Sequence, residues 1–438
     1  MTSGNQPARE SGLIRAIGVP GLTANIVNTT IGAGIFALPA SISLRLGAAA
    51  PIAFLACAAA MALFVTCFAI AGSRVSLTGG LYAYVEVAFG RYVGFLAGLL
   101  LFTTAVLSVA GIVNMLAGTI IALLPALGGP LGHIVIVLLV FGVLAAINIR
   151  GVRFGTGAVA TMTIAKLVPL LIFVLAGIFF IKPAALGWSS WPRGDAVGDA
   201  VLLLLFAFFG IEVGLVPSGE VKRPAQTVPR AIYLGLAVTT ALYILIQVVA
   251  QGTLGPALAQ SGVSPLAESA ALFLGNFGRL LLLAGATISA FGFVTSDVLS
   301  SPRVLFALGR DGILPKFFAH VHPRFHSPNV AIVAYVTITF AASLTSTFEE
   351  LAIIANVAAL LLYALCCAAA WELMRRDVRA DGPPFSVPGA KVIPILALGV
   401  IVWILAHAKA EEFVKTGAVM AGGSILFVLR MMYERRRR

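Results

Sequence analysis

Charge is what this 438-residue chain has least of: Asp, Glu, Lys and Arg make up 11% of it, against 60% hydrophobic residues and a mean hydropathy of +1.03. Soluble domains carry roughly 25% charged and about 45–50% apolar residues, which excludes a water-soluble globular protein. No polar stretch is long enough to form a soluble domain beside the apolar part. Cysteine is scarce too. Cys57, Cys67, Cys366 and Cys367 all lie in apolar runs and none forms a C-x-x-C pair, so neither a disulfide framework nor a zinc site is expected. No Gly-Lys dipeptide occurs, which excludes a Walker A loop and with it an ATP-driven pump. No His-Glu pair starts a zincin helix. The N-terminus has no short apolar core followed by a cleavage site, so the first apolar run is expected to serve as its own insertion signal.

What remains is a polytopic all-α membrane protein. Twelve apolar segments are expected, at 16–43, 48–73, 93–125, 131–149, 156–181, 199–219, 230–254, 280–308, 329–346, 350–373, 392–408 and 413–433. Barrel strands would be alternating stretches of about ten residues, whereas these runs are longer and uniformly apolar, as spanning helices of about 20 residues require. With the N-terminus in the cytoplasm, 22 of the 29 basic residues fall on the inner side. Six fall outside (Arg45, Lys182, Arg193, Arg279, Lys409 and Lys415) and Lys166 lies within a span. That asymmetry is the positive-inside pattern. It accounts for the net charge of +12 without nucleic acid, and it puts both termini in the cytoplasm of a cell membrane. The Arg435–Arg438 run reads as an anchor beside anionic lipid.

Three ionisable side chains break the apolar pattern: Lys166 in the fifth segment, Glu212 in the sixth and Asp297 in the eighth. Lys166 is ten residues into its segment, about 15 Å deep at 1.5 Å per residue. A charge at such depth costs several kcal/mol and faces a cavity or a partner; helix-pairing is the plainer reading of each. Two segments are also interrupted. The first carries Thr29-Thr30-Ile31-Gly32-Ala33-Gly34-Ile35-Phe36 closed by Pro39, and the sixth carries Phe206-Ala207-Phe208-Phe209-Gly210-Ile211-Glu212 followed by Gly214 and Pro217. Unwound backbone within a membrane is tolerated only where it is buried in protein or lines a wet cavity. One break would suit close helix packing, but corresponding breaks five segments apart point to a transporter site on inverted repeats. Half-helix N-termini bind an anion and freed carbonyls accept from an ammonium, so the pair suits a zwitterion such as an α-amino acid.

At these residues the chain resembles an amino acid permease of the amino acid–polyamine–organocation superfamily, with the five-plus-five inverted-repeat fold shared with LeuT and two further C-terminal helices. The resemblance rests on Ile31-Gly32-Ala33-Gly34-Ile35-Phe36, Gly79-Gly80-Leu81-Tyr82, Phe209-Gly210-Ile211-Glu212 through Glu220-Val221-Lys222-Arg223-Pro224, Arg310-Asp311-Gly312-Ile313-Leu314-Pro315 and Pro384-Phe385-Ser386-Val387-Pro388-Gly389. It implies an N-terminal tail at 1–15, a first repeat at 16–181, a second at 199–373, two extra helices at 392–433 and a basic tail at 434–438. It implies that Ala33 and Gly34 donate N–H groups to a substrate carboxylate, with Ile31 and Gly32 beside them. Carbonyls at Thr30, Phe206 and Phe209 would take the amino group, Phe206 would gate, and Ala207, Gly210 and Glu212 would complete the site. Lys166 matches a lysine that stands in proton-coupled relatives for a sodium ion, with Ser289 facing it; related exchangers carry this lysine as well. The expected partners are an amino acid, protons and the bilayer, with no cofactor and no metal.

Neutral and cationic substrates both remain open: Ala33, Ala207, Phe209 and Gly210 form a small apolar lining, while Asp297 and Glu212 would suit a cation. Symport, exchange and polyamine transport stay open as well. A channel would need a ring or filter, whereas here the breaks lie in two helices of one chain. Residues 255–278 are expected to form a short outer helix capping the site, and His320, His322 and His326 an inner loop rather than a metal site.

Overall fold

Lacking water as a partner, a backbone in lipid must satisfy its polar groups internally, and the chain does so with helices. In the computed structural model, residues 17–75, 80–150, 156–188, 190–215, 221–262, 264–310, 314–325, 327–379 and 383–437 are described. Among them there is no strand, only an isolated bridge between Ile17 and Val221. Among the described residues eight helical runs are long and apolar enough to cross a membrane, and the shorter apolar helices Ile164–Phe180, Asn329–Ser343 and Ile393–Leu405 accompany them.

The helices are α1 (Val19–Thr30), α2 (Gly34–Leu46), α3 (Ala50–Gly72), α4 (Leu81–Phe89), α5 (Arg91–Leu123), α6 (Pro130–Ile149), α7 (Thr156–Gly177) and α8 (Gly194–Phe208). After them come α9 (Ile211–Gly214), α10 (Pro224–Leu254), α11 (Pro265–Ser300), α12 (Pro302–Arg310), α13 (Asn329–Ser343), α14 (Phe348–Arg375), α15 (Ile393–Leu405) and α16 (Ala410–Arg437). Each expected apolar segment contains a helix, with three differences. The short helix expected within 255–278 is the start of α11, which runs from Pro265 into the eighth segment through a bend at Gly275, where φ is +63°. That segment also ends earlier than expected: Ser301 separates α11 from α12. A short helix, α4, precedes the third segment.

Helix α10 packs on both α1 and α3, with α14 lying along α5 and α11 along α7. Helices α3, α8 and α14 are buried along most of their length, while α16 turns most of its apolar surface outward. A helix apolar on every face, as α3 is, belongs in such a core or in lipid. The capping box at Thr347 and Glu350 starts α14, satisfying two of the N–H groups that every helix start leaves without a partner.

Candidate functional site

Both expected breaks are present, and they touch. Helix α1 stops at Thr30, Ile31 leaves helical geometry (φ −74°, ψ 85°) and α2 starts at Gly34 behind Ala33. Helix α8 stops at Phe208, Phe209 is extended, and Gly210 takes φ +104° before α9. A side chain at Gly210 would need that left-handed backbone and would also overlap the Thr29 carbonyl, so both demands select glycine. The Thr29 hydroxyl donates to the Gly210 carbonyl at 2.8 Å. The phenol of Tyr243, on α10, reaches the Thr30 carbonyl at 3.0 Å and the Ala207 carbonyl at 2.8 Å. One hydroxyl proton is thus shared between carbonyls that the two breaks set free.

The α2 N-terminus presents the N–H groups of Ala33 and Gly34, which a helix start leaves without an intrahelical acceptor. Phe206 covers them: its Cδ1 is 3.1 Å from where a Gly34 side chain would begin, with the Ala207 backbone beside it. Phe206 meets Phe209 at 5.8 Å and stands edge-on to Phe348 at 5.5 Å between ring centroids. Above that pair lies a cavity of about 730 Å³ whose walls include Ala37, Ser41, Asn114, His133, Phe348 and Glu349. Glu349 receives a hydrogen bond from the Ser41 hydroxyl and pairs with Arg45 at 3.1 Å, joining the far end of α2 to α14.

Glu212 is buried and bonded on both carboxyl oxygens, to the Gly210 N–H at 3.2 Å and the Tyr363 hydroxyl at 2.8 Å. It holds the second bend to α14. Asn356 ties the same helix to the carbonyls of Leu202 and Leu203 in α8.

Among the described residues no acid pairs with Lys166. Its ammonium donates to the Asn28 carbonyl at 2.5 Å, one of the last carbonyls of α1 that lack an acceptor role within the helix. A cation at a helix C-terminus meets the negative end of the dipole. Ser289 lies opposite. Gly177 packs on Phe273 and Gly285 on Pro169, so α7 and α11 run antiparallel. Ser289 is then one turn beyond Gly285, on the side where Lys166 is one turn before Pro169, and its buried hydroxyl has no hydrogen-bond partner among the described residues.

Asp297 lies elsewhere. It is eight residues past Ser289, about 12 Å along the helix, and its carboxylate accepts the hydroxyl of buried Tyr335 on α13. His320 bonds Asn329 at 2.9 Å and the His322 ring lies against Phe325; His326 is outside the described residues. Among the described residues no group of side chains could hold a metal ion. Sequence reasoning missed Tyr243, Tyr363, Asn356 and Phe348, and named Thr29 only as part of the first break. A phenol in the apolar run of α10, which carries Tyr233 as well, was the available signal for Tyr243.

A sequence model of a family described as amino acid permease matches residues 17–426. The chain is 27% identical to the serine/threonine exchanger SteT of Bacillus subtilis (strain 168), over 93% of this chain and 94% of the relative. It is also 27% identical to that organism's methylthioribose transporter (96% and 94% covered) and to its branched-chain amino acid permease BcaP (89% and 87% covered). The family and these relatives are transporters and not enzymes. The helical architecture and the apolar runs make the chain a multi-pass membrane protein, and the match over nearly all of its length places it in the amino acid permease family.

Proposed function

We propose that this protein is a secondary transporter that carries amino acids across the cytoplasmic membrane by alternating access, with the substrate held between the two breaks. The observation that carries this reading is the joining of the breaks. Tyr243 and the Thr29–Gly210 bond hold two helix ends together beside the uncapped start of α2. The substrate carboxylate binds the N–H groups of Ala33 and Gly34 along the Ile31–Gly32 turn, where a helix start favours an anion. The ammonium takes the carbonyls of Thr30, Phe206 and Phe209; each carbonyl has two lone pairs, so Thr30 can serve Tyr243 and the substrate together. Phe206 rests on Gly34 and must swing aside to admit the carboxylate. Ala207 and Gly210 leave room for the side chain, and Glu212 keeps the second bend in shape.

The chain crosses the bilayer twelve times with both termini inside, and segments 1–5 and 6–10 form inverted repeats. Lys166 couples transport to protons. When protonated it caps α1 through Asn28, with Ser289 as its second partner; when neutral it releases that helix end, which lets the two orientations differ in proton affinity. Exchange is the second reading, favoured by the relative named a serine/threonine exchanger.

The test is uptake of a labelled amino acid panel into proteoliposomes, empty or preloaded, with and without an inward proton gradient. Accumulation in empty vesicles that grows with the gradient supports symport. Uptake confined to preloaded vesicles means exchange. No uptake of any amino acid in either setting refutes the substrate class and points to polyamines and other amines.

A further inference from the structure

Helix α5 carries one serine and three threonines, and the threonines behave alike. Thr103, Thr104 and Thr119 each donate to the carbonyl four residues earlier, at 2.8, 2.9 and 3.0 Å. That back-bond satisfies a hydroxyl in a spanning helix without water. Ser108 is the exception. It is 4% exposed, and its Oγ has no hydrogen-bond partner among the described residues. A buried hydroxyl left unpaired is costly, and such a group in a native fold calls for an explanation.

Neighbours on the same helix fix where Ser108 stands. Asn114 and Gly118 line the large cavity. Gly111 comes next along α5 and packs against Phe348 and Leu351 of α14. The Phe348 ring stands edge-on to Phe206, which rests on Gly34. Ser108 follows one turn later, on the side of that aromatic pair away from the cavity and toward the breaks. Met115 is seven residues from Ser108, which at 3.6 residues per turn brings the two within roughly 20° on the helix surface. Met115 meets Phe36 of α2 and Leu282, Leu283 and Ala286 of α11 around a small void. By that rotation Ser108 is turned inward, between α2 and α11.

We propose that Ser108 reads a hydroxyl on the substrate side chain, which makes serine and threonine preferred substrates over alanine and valine. The inference rests on the amino acid transport reading, in which backbone between the two breaks holds the carboxylate and the ammonium. The side chain is then left the room bounded by Phe206, Ala207 and Gly210, and Ser108 adds a polar group to that small apolar lining. A serine hydroxyl both donates and accepts, and so does a hydroxyl on the substrate, so each satisfies the other without a charge. An aliphatic side chain of the same shape leaves Ser108 unpaired, and a site built to bond a hydroxyl discriminates against the analogue that lacks it. A cationic side chain gains no carboxylate here, since Glu212 is bonded to Tyr363 and Asp297 to Tyr335.

The test is the apparent KM for counterflow of threonine and of valine, which share a shape, in proteoliposomes of wild type, Ser108→Ala and Thr119→Ala. Wild type should favour threonine by about tenfold, the scale of one neutral hydrogen bond. Ser108→Ala should bring the ratio close to one, through a rise in the threonine KM with that of valine unchanged. Thr119→Ala removes a hydroxyl already bonded to its own helix and should keep the wild-type ratio. The melting temperature of Ser108→Ala should equal or exceed that of wild type, because only an unpaired hydroxyl is lost; a drop would reveal a structural partner and overturn the assignment. A wild-type ratio near one, or a ratio that survives Ser108→Ala, overturns the role of Ser108 and leaves the transport reading intact. Counterflow of other amino acids with neither threonine nor valine carried does the same. Counterflow of no amino acid by a folded wild type refutes the transport reading, and the role of Ser108 falls with it.

Discussion

Tyr243→Phe is the sharpest test of how the two breaks are held. The substitution deletes one oxygen and keeps the ring, so the edge-on contact with Phe208 at 5.3 Å survives. What disappears is the single proton shared by the carbonyls of Thr30 and Ala207. Both oxygens are buried, and leaving a buried acceptor unsatisfied costs about 1–3 kcal/mol. The Thr30 carbonyl keeps a second donor, the Gly32 N–H at 2.8 Å, so the loss falls mainly on Ala207 and lies at the lower end, about 1–1.5 kcal/mol. The effect belongs to the breaks rather than to the bundle, because Tyr243 joins them where the substrate is proposed to bind. The apparent KM for counterflow should rise by about five- to twelvefold on that scale, with expression and monodispersity unchanged. A wild-type KM in a well-folded Tyr243→Phe protein would refute the claim that the phenol sets the spacing of the breaks. A loss of folding with no selective loss of affinity would show that the bond serves packing alone.

Four further outcomes follow from the same geometry. Lys166→Ala should abolish the dependence of uptake on a proton gradient, and full pH-dependent uptake by this variant would end the coupling role. Gly210→Ala has to adopt a backbone that costs roughly 1–2 kcal/mol for a residue with a side chain and also displaces the Thr29 carbonyl; transport should be lost, which uptake at matched expression checks. Asp297→Asn should leave the ratio of cationic to neutral uptake unchanged, because the carboxylate already serves Tyr335; a selective drop for cationic substrates would restore Asp297 to the site. At the end of α14, the Arg379 guanidinium, with help from Arg74, holds the Asp377 carboxyl below its ordinary value of 3.8. A lowered carboxyl stabilises the folded form above that value and loses its contribution as pH falls through the folded one. The stability advantage of wild type over Asp377→Asn should therefore hold at neutral pH and disappear in acid, as thermal melting across that range would report.

The breaks were legible because glycine acts on its own backbone. Gly32 and Gly34 mark the break in one helix and Gly210 the break in the other, while Pro39 is accommodated inside α2. The apolar runs were legible for the same reason, since lipid selects on composition over about 20 residues. Partners were not, because a deep polar group announces its cost and not what relieves it. Lys166 stood out, and its own segment offers no acid; its partner is the Asn28 carbonyl, and every residue has a carbonyl, so no pattern marks this one. Asp297 stood out equally, yet its partner is a tyrosine 38 positions away that passes in sequence for an interfacial aromatic. Glu212 reads as a free acid, but both its oxygens are occupied once α14 brings Tyr363 across. In each case depth identified the residue, and helix packing alone decided whether it was left open to a ligand or bonded within the fold. By that criterion the backbone groups left for the proposed substrate are the α2 N–H groups under Phe206 and the spare lone pairs of the freed carbonyls. A site made of backbone discriminates poorly between side chains, so in the proposed site specificity rests on what Phe206, Ala207 and Gly210 leave unfilled.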